Sequence, residues 1–227
     1  MGKTMNLGAG VRAQRKTLIT VAEWQGAAYD VYTLLTAEPA QFDPTEYYKK
    51  NAQGQFVAGT VSDEWAANTW YAKSSSTQYR EILGARTEDS SIEFNPDIQT
   101  STDILGKTYT DVNKTEPQQT FDPFYLLGGS ALGEYLTNAA LENKIDNYNG
   151  VFTLYIIAAF ISETTGTPAA TTYKAVKHTG CSIIPTAIGG DSYTNMPIEV
   201  HYSNDIIVGS VDKLSDDFAF TPDTPAT

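Results

Sequence analysis

Residues 150–161 read GVFTLYIIAAFI. A near-continuous apolar run after a glycine, rich in aromatic and β-branched residues, predicts a strand buried on both faces. Thr153 interrupts it, and the run is far shorter than the ~20 residues a membrane-spanning helix requires. Downstream the β signal persists. Thr171 to Thr179 and Ser182 to Ile188 are two further runs, Gly189-Gly190 supplies a turn, and Pro197-Ile198-Glu199-Val200-His201-Tyr202 alternates with period two. Asn204-Asp205 has the composition of a tight hairpin loop before Ile206 to Val211. Phe218 and Phe220 alternate in a last short strand.

Upstream lies the one predicted helix. Ser130, after Gly128-Gly129, is a suitable N-cap. Leu132, Tyr135, Leu136, Ala139, Ala140 and Ile145 recur at helical spacing and form one apolar face, which Asn147 to Gly150 should end. Further back, residues 17–23 and 28–35 are two short β-like runs separated by Gln25-Gly26. Residues 36–76 show no clear period, place Trp65 and Trp70 beside a serine run, and are too long for a plain connection. Tyr79 to Ile82 returns to the body as a strand. Ser91 to Asn95 alternates until Pro96 closes it, Thr108 to Val112 is a further strand, and residues 113–125 form an extended connector.

Composition agrees with strands. Threonine is abundant, and 14 tyrosines and 9 phenylalanines suit pleated, half-buried surfaces. Charged residues make up 19% of the chain, below the usual quarter or so, as expected if other subunits cover part of the surface. The 227 residues carry a net charge of -12, yet residues 1–16 hold Lys3, Arg12, Arg15 and Lys16 with no acid. Such a basic arm is either a docking strap between like-charged bodies or a frayed terminus. One cysteine excludes an internal disulfide, and two histidines leave little for a metal cluster. An acidic chain without a basic stripe is a poor reader of DNA sequence. The opening residues contain no apolar stretch of the signal-peptide kind, so synthesis in a reducing cytosol is expected.

Signals of chemistry are sparse. There is no phosphate-binding loop and no G-x-S-x-G elbow; Gly8-Ala9-Gly10 lacks the third glycine of a dinucleotide fingerprint. His178 and Cys181 stand three apart, but on a strand and turn that spacing favours a buried thiol and a surface imidazole over a dyad. Asp216-Asp217 and Glu88-Asp89 are most simply solvated acids. Trp24, Trp65 and Trp70 suit core or interface packing better than a sugar platform. No catalytic residue, cofactor site or metal ligand is predicted. A building block fits best.

Three consecutive stretches carry a family resemblance: REILGARTEDSSIEFNPDIQTSTDILGKTYTDVNKTEPQQTFDPF at 80–124, GGSALGEYL at 128–136, and GGDSYTNMPIEVHYSNDIIVGSVDKL at 189–214. In this order they resemble the major tail (tail tube) proteins of long-tailed, non-contractile bacteriophages of Gram-positive hosts. The resemblance implies an all-β sandwich with one flanking helix. The residues themselves read as an N-terminal arm over 1–16, a single domain over 17–220 with an insertion at about 36–76 that matches no family pattern, and a loose tail at 221–227. The resemblance further implies rings, hexameric in the family, that stack into a hollow tube in the virion tail. Implied partners are other copies of the chain, a tape-measure protein, tail terminator and baseplate or distal tail proteins, and DNA passing through without specific binding or membrane insertion. Arg12, Arg15, Lys16, Trp65 and Trp70 are the expected assembly contacts. Asn95, Pro96, Asp97, Asp103, Gly106, Phe121, Asp122, Pro123 and Gly209 match the family's turn and connector positions. The alternative from another class is a carbohydrate-binding β-sandwich or adhesin.

Overall fold

The structure, a computed structural model, describes residues 4–5, 18–84, 90–165 and 169–223. In chain order the elements are β1 (Thr4–Met5), β2 (Leu18–Leu34), β3 (Tyr48–Lys50), β4 (Phe56–Ala58), β5 (Trp70–Ile82), β6 (Ile92–Glu93), β7 (Pro96–Thr102), β8 (Thr108–Thr115), β9 (Gln118–Phe121), α1 (Ala131–Leu141), β10 (Phe152–Thr165), β11 (Ala170–Pro185), β12 (Ile198–His201), β13 (Ile206–Val211) and β14 (Phe220–Pro222). Among the described residues the fold is all-β with one α-helix, as the sequence pattern predicts. Two compact units divide the chain: residues 1–24 with 80–227, and residues 25–79. The separate unit is thus wider than the expected insertion, because the long β2 and β5 each contribute strand to both units. Gln25-Gly26 does not break β2. Instead, a Cβ on Gly26 would lie 2.7 Å from the Tyr79 ring, so this glycine admits a cross-strand aromatic.

The first unit is organised around β10, the apolar run within residues 150–161. Residues 153–158 pair with Glu23 back to Leu18 of β2 on one side, and residues 152–165 pair with β11 on the other. Backbone of β1 pairs with Ser162 and Ile161. Both faces of β10 are covered. On one, Tyr155 and Ile157 join Val21, Ala175, Val211 and Phe218. On the other, Phe152 lies against Trp24 and Tyr135, with ring centroids 6.3 and 6.1 Å away. The second sheet comprises the end of β11, then β12, β9 and β6.

Gly180 and Asn204-Asp205 act differently from their sequence expectations. Rather than two strands, 170–185 is one strand, bulged at Gly180 with φ +71. Nor do Asn204-Asp205 form a hairpin: β12 and β13 follow each other along the same edge of β11, His201 opposite Ser182 and Ile206 opposite His178. Between them the Thr179 N–H donates to the Asp205 carbonyl at 3.1 Å. Both strands therefore pass together from one sheet to the other through a bulged corner. Pro96 likewise opens β7 instead of closing a strand, and the connector 113–125 contains the end of β8 and all of β9. α1 stops at Leu141, where Asn143 takes φ +53, so Ile145 lies beyond the helix and is 54% exposed. Ser130 caps the N-terminus as expected, its Oγ accepting from the Gly133 N–H at 2.9 Å. Glu81 of β5 adds a second cap, accepting from the Leu132 N–H at 3.0 Å and from the Ser130 hydroxyl at 2.7 Å.

Two buried polar clusters fix the layers. The Gln119 Oε1 accepts from Thr20 at 3.0 Å and from Tyr202 at 2.6 Å, while its Nε2 donates to Ser90 at 2.8 Å, joining β2 to the second sheet. On the opposite face, Arg80 Nε pairs with Glu23 at 2.5 Å and its Nη1 donates to the Phe218 carbonyl at 2.7 Å. Its guanidinium lies 4.7 Å from the Phe218 ring centroid and 5.4 Å from that of Tyr155. The Tyr155 hydroxyl donates to Glu23 at 3.2 Å. Burial first, and then the Glu23 charge, push the Tyr155 phenol up to about 12. The unfolded chain therefore loses this proton first, and stability falls as pH rises from about 10 toward 12. Tyr155→Phe should remove roughly 2 kcal/mol of that alkaline loss at the cost of roughly 1 kcal/mol at neutral pH. Urea unfolding of both forms at pH 8 and 11.5 checks this; equal alkaline losses would contradict it.

The second unit has its own centre. Trp70 is buried, pairs in register with Lys49, and donates its indole N–H to the Glu64 carbonyl at 3.2 Å. Phe42 packs edge-on between Trp65 and Trp70, at 5.2 and 5.1 Å. On the other face of this sheet, Tyr32 stacks on Phe56 at 3.9 Å, Lys50 lies over Phe56 and Tyr71, and Lys73 lies over Tyr48.

Candidate assembly surface

β7 and β8 form a two-stranded sheet of their own, and every residue in both strands is exposed. Their sequence explains the ribbon. In PDIQTST and TYTDVNKT, β-branched residues recur at every second position and suit extended backbone. The turn is written into Asp103-Ile104-Leu105-Gly106. The Gly106 N–H donates to the Asp103 carbonyl at 3.0 Å, and Gly106 takes φ +79, which only glycine adopts without strain. Asp103 Oδ1 accepts from the backbone of Leu105 at 2.8 Å and of Lys107 at 2.9 Å, and the Tyr109 hydroxyl reaches Oδ2 at 3.3 Å. These bonds, the Lys107 N–H foremost, hold the Asp103 carboxyl below its usual range.

Register sorts the side chains into two faces. Ile98 opposes Val112, Thr100 opposes Thr110, and Thr102 opposes Thr108. This face is wholly uncharged and β-branched, in a chain of net charge -12. The other face carries Gln99, Ser101, Tyr109 and Asp111, with Lys107 lying over the Tyr109 ring at 5.1 Å. At the tip, Ile104 is fully exposed and Leu105 is 87% exposed. An isolated two-stranded ribbon is marginal in water, and its open edges and apolar tip are sites of further pairing.

The expected positions fall into three groups. Asp103 and Gly106 build the tip, while Asn95, Pro96 and Asp97 build the base, where Asn95 takes φ +40 and donates to the Glu116 carbonyl at 3.3 Å. Phe121 is buried in β9, a cis bond joins Asp122 to Pro123, and Asn195 donates to Asp122 at 3.4 Å. A Cβ on Gly209 would lie 2.4 Å from the Thr221 carbonyl, so this glycine seats β14. Trp65 and Trp70 pack with Phe42 inside the second unit. Arg12, Arg15 and Lys16, together with Glu88 and Asp89, lie outside the described residues. Sequence reasoning missed Ile98, Thr100, Thr102, Thr110 and the uncharged face they make with Thr108 and Val112. The mirrored period-two pattern of β-branched residues on either side of Asp103 to Gly106 was the available signal.

Elsewhere the candidate chemistry resolves into packing. His178 is buried, contrary to the surface imidazole expected, and its Nδ1 lies 2.9 Å from the Ser203 carbonyl. Cys181 donates its thiol to the backbone carbonyl of His178 at 3.5 Å, and burial pushes that thiol up. The imidazole is thus turned to Ser203 and the thiol is held protonated. Asp217 pairs with Lys213 at 2.5 Å on the surface. Among the described residues, no three His, Cys, Asp or Glu side chains are grouped to hold a metal ion, and no helix is long and apolar enough to cross a membrane. Neither a protein-family model nor a curated protein matches this chain.

Proposed function

We propose that the chain is a structural subunit that associates with copies of itself, and that the assembly is the tube of a non-contractile phage tail. One observation carries the self-association: a twenty-residue ribbon (96–115) with an uncharged β-branched face and an apolar tip has no cover among the described residues. Association buries that face where two like-charged bodies can meet without opposing carboxylates. The tube follows from the sequence resemblance at 80–124, 128–136 and 189–214 together with the all-β fold. Copies joined in rings would close over exposed strand edges. A tape-measure protein would fill the bore during assembly, and DNA would later pass an acidic wall to which its phosphates do not adhere.

In the second unit, Tyr32, Phe56, Tyr48 and Tyr71 stack on one another or carry lysines, so no specific observation favours a sugar platform there. Negative-stain images of the purified protein decide the matter. Rings or hollow rods of constant bore are expected, and a monodisperse monomer at high concentration would overturn the proposal.

A further inference from the structure

A shallow groove of about 300 Å³ is lined by Tyr125, Leu126, Leu127, Tyr193 and Thr194. Its walls are pinned by backbone. The Leu126 N–H donates to the Thr194 carbonyl at 3.1 Å, Gly189 pairs with Asn195, and the Asn195 side chain accepts from the Phe124 N–H at 2.9 Å. Gly190 takes φ +144, and a Cβ there would strike the Tyr193 carbonyl at 2.0 Å, so the loop that carries Tyr193 is tightly folded. Tyr193 is nevertheless 77% exposed, and its ring meets that of Tyr125 edge-on at 6.3 Å. The volume lies at the floor of the roughly 300–1,000 Å³ typical of small-molecule sites, and no charged group lines it.

We propose that this groove receives the ribbon tip, Ile104 and Leu105, of a second copy of the chain. The inference rests on the self-association reading and names the partner surface within it. Within one chain the tip and Tyr193 are both exposed, so neither covers the other. The groove, at about 300 Å³, has room for two aliphatic side chains. Charge agrees as well. Asp103, half-buried and held ionised by its own turn, is balanced by exposed Lys107, so the tip carries no net charge in a chain of net charge -12. Exposed Asp191 lies beside Tyr193 in sequence, and exposed Glu134 lines the neighbouring groove that shares Leu126 and Leu127. A net-neutral apolar knob therefore meets an acid-flanked apolar hole. Knob and hole are different patches of one chain, so a one-way contact is head-to-tail and propagates to a ring or a stack, whereas a reciprocal exchange closes as a dimer.

Cysteine cross-linking tests this cleanly, because the native Cys181 is buried. Leu105→Cys and Thr194→Cys are made separately, mixed and mildly oxidised. The expected result is a disulfide-linked dimer at least fivefold more abundant in the mixture than in either variant alone. Leu105→Cys mixed with Val61→Cys, another exposed position, should show no such excess. If the mixture assembles by light scattering without the excess link, the groove assignment falls and self-association stands. If the native chain and the mixture both fail to assemble or link, the self-association reading falls with it.

Discussion

Replacing Thr100 and Val112 by glutamate should leave the monomer folded and reduce its self-association at least a hundredfold. Both side chains are exposed, where substitutions usually change stability by no more than about 0.5 kcal/mol. They stand diagonally on the uncharged face, since Thr100 pairs with Thr110 and Val112 with Ile98, so the new carboxylates are not directly opposed. In a contact that buries this face, each carboxylate would lose water without gaining a partner. A hundredfold loss corresponds to only about 2.7 kcal/mol, well within that penalty. Sedimentation velocity over a concentration series measures the effect, and thermal unfolding checks the fold. Unchanged association would show that the face stays wet.

Arg80→Met should cost roughly 3 kcal/mol of stability. Its side chain is 25% exposed and that of Glu23 only 10%, so removing the guanidinium strands a carboxylate in the core. Breaking a buried pair costs about 3–5 kcal/mol, and the partial exposure of Arg80 places this one at the lower end. The substitution also removes the bond to the Phe218 carbonyl, and with it the anchor of the segment that covers Tyr155. Adding Glu23→Gln should restore part of the loss, because the buried charge is then gone. Chemical denaturation of the three variants beside the native chain measures this; a loss below 1 kcal/mol for Arg80→Met would contradict the burial argument.

The centre of the fold was plain in the sequence and its corners were not. An apolar run broken only at Thr153, rich in β-branched and aromatic residues and opened by a glycine, reads as a strand covered on both faces, and β10 is that strand. The helix start was equally legible, because Ser130 caps through its own side chain. Glycine misled at two positions. Gln25-Gly26 separates two runs in the sequence and Gly180 falls between two more, yet Gly26 makes room for Tyr79 and Gly180 bends a continuous strand. Whether a glycine ends a strand or lets a neighbour approach depends on what lies across the sheet, which local sequence does not record. Asn204-Asp205 misled similarly, since a bulge and a hairpin use the same residues and differ only in which strand pairs next. In the candidate site, the tip was readable from Asp103 to Gly106. Its neutral face was not noticed, because threonine suggests strand but does not reveal which side lacks a cover.

Cover of residues 96–115 by another copy of the chain is measured directly by amide hydrogen exchange. Exchange is followed in the native protein below and above the concentration at which particles form. Fast exchange across this ribbon is expected in the dilute sample and strong protection in the concentrated one, with β10 protected in both. Equally fast exchange of the ribbon at every concentration, in a sample that stays monomeric, would contradict it.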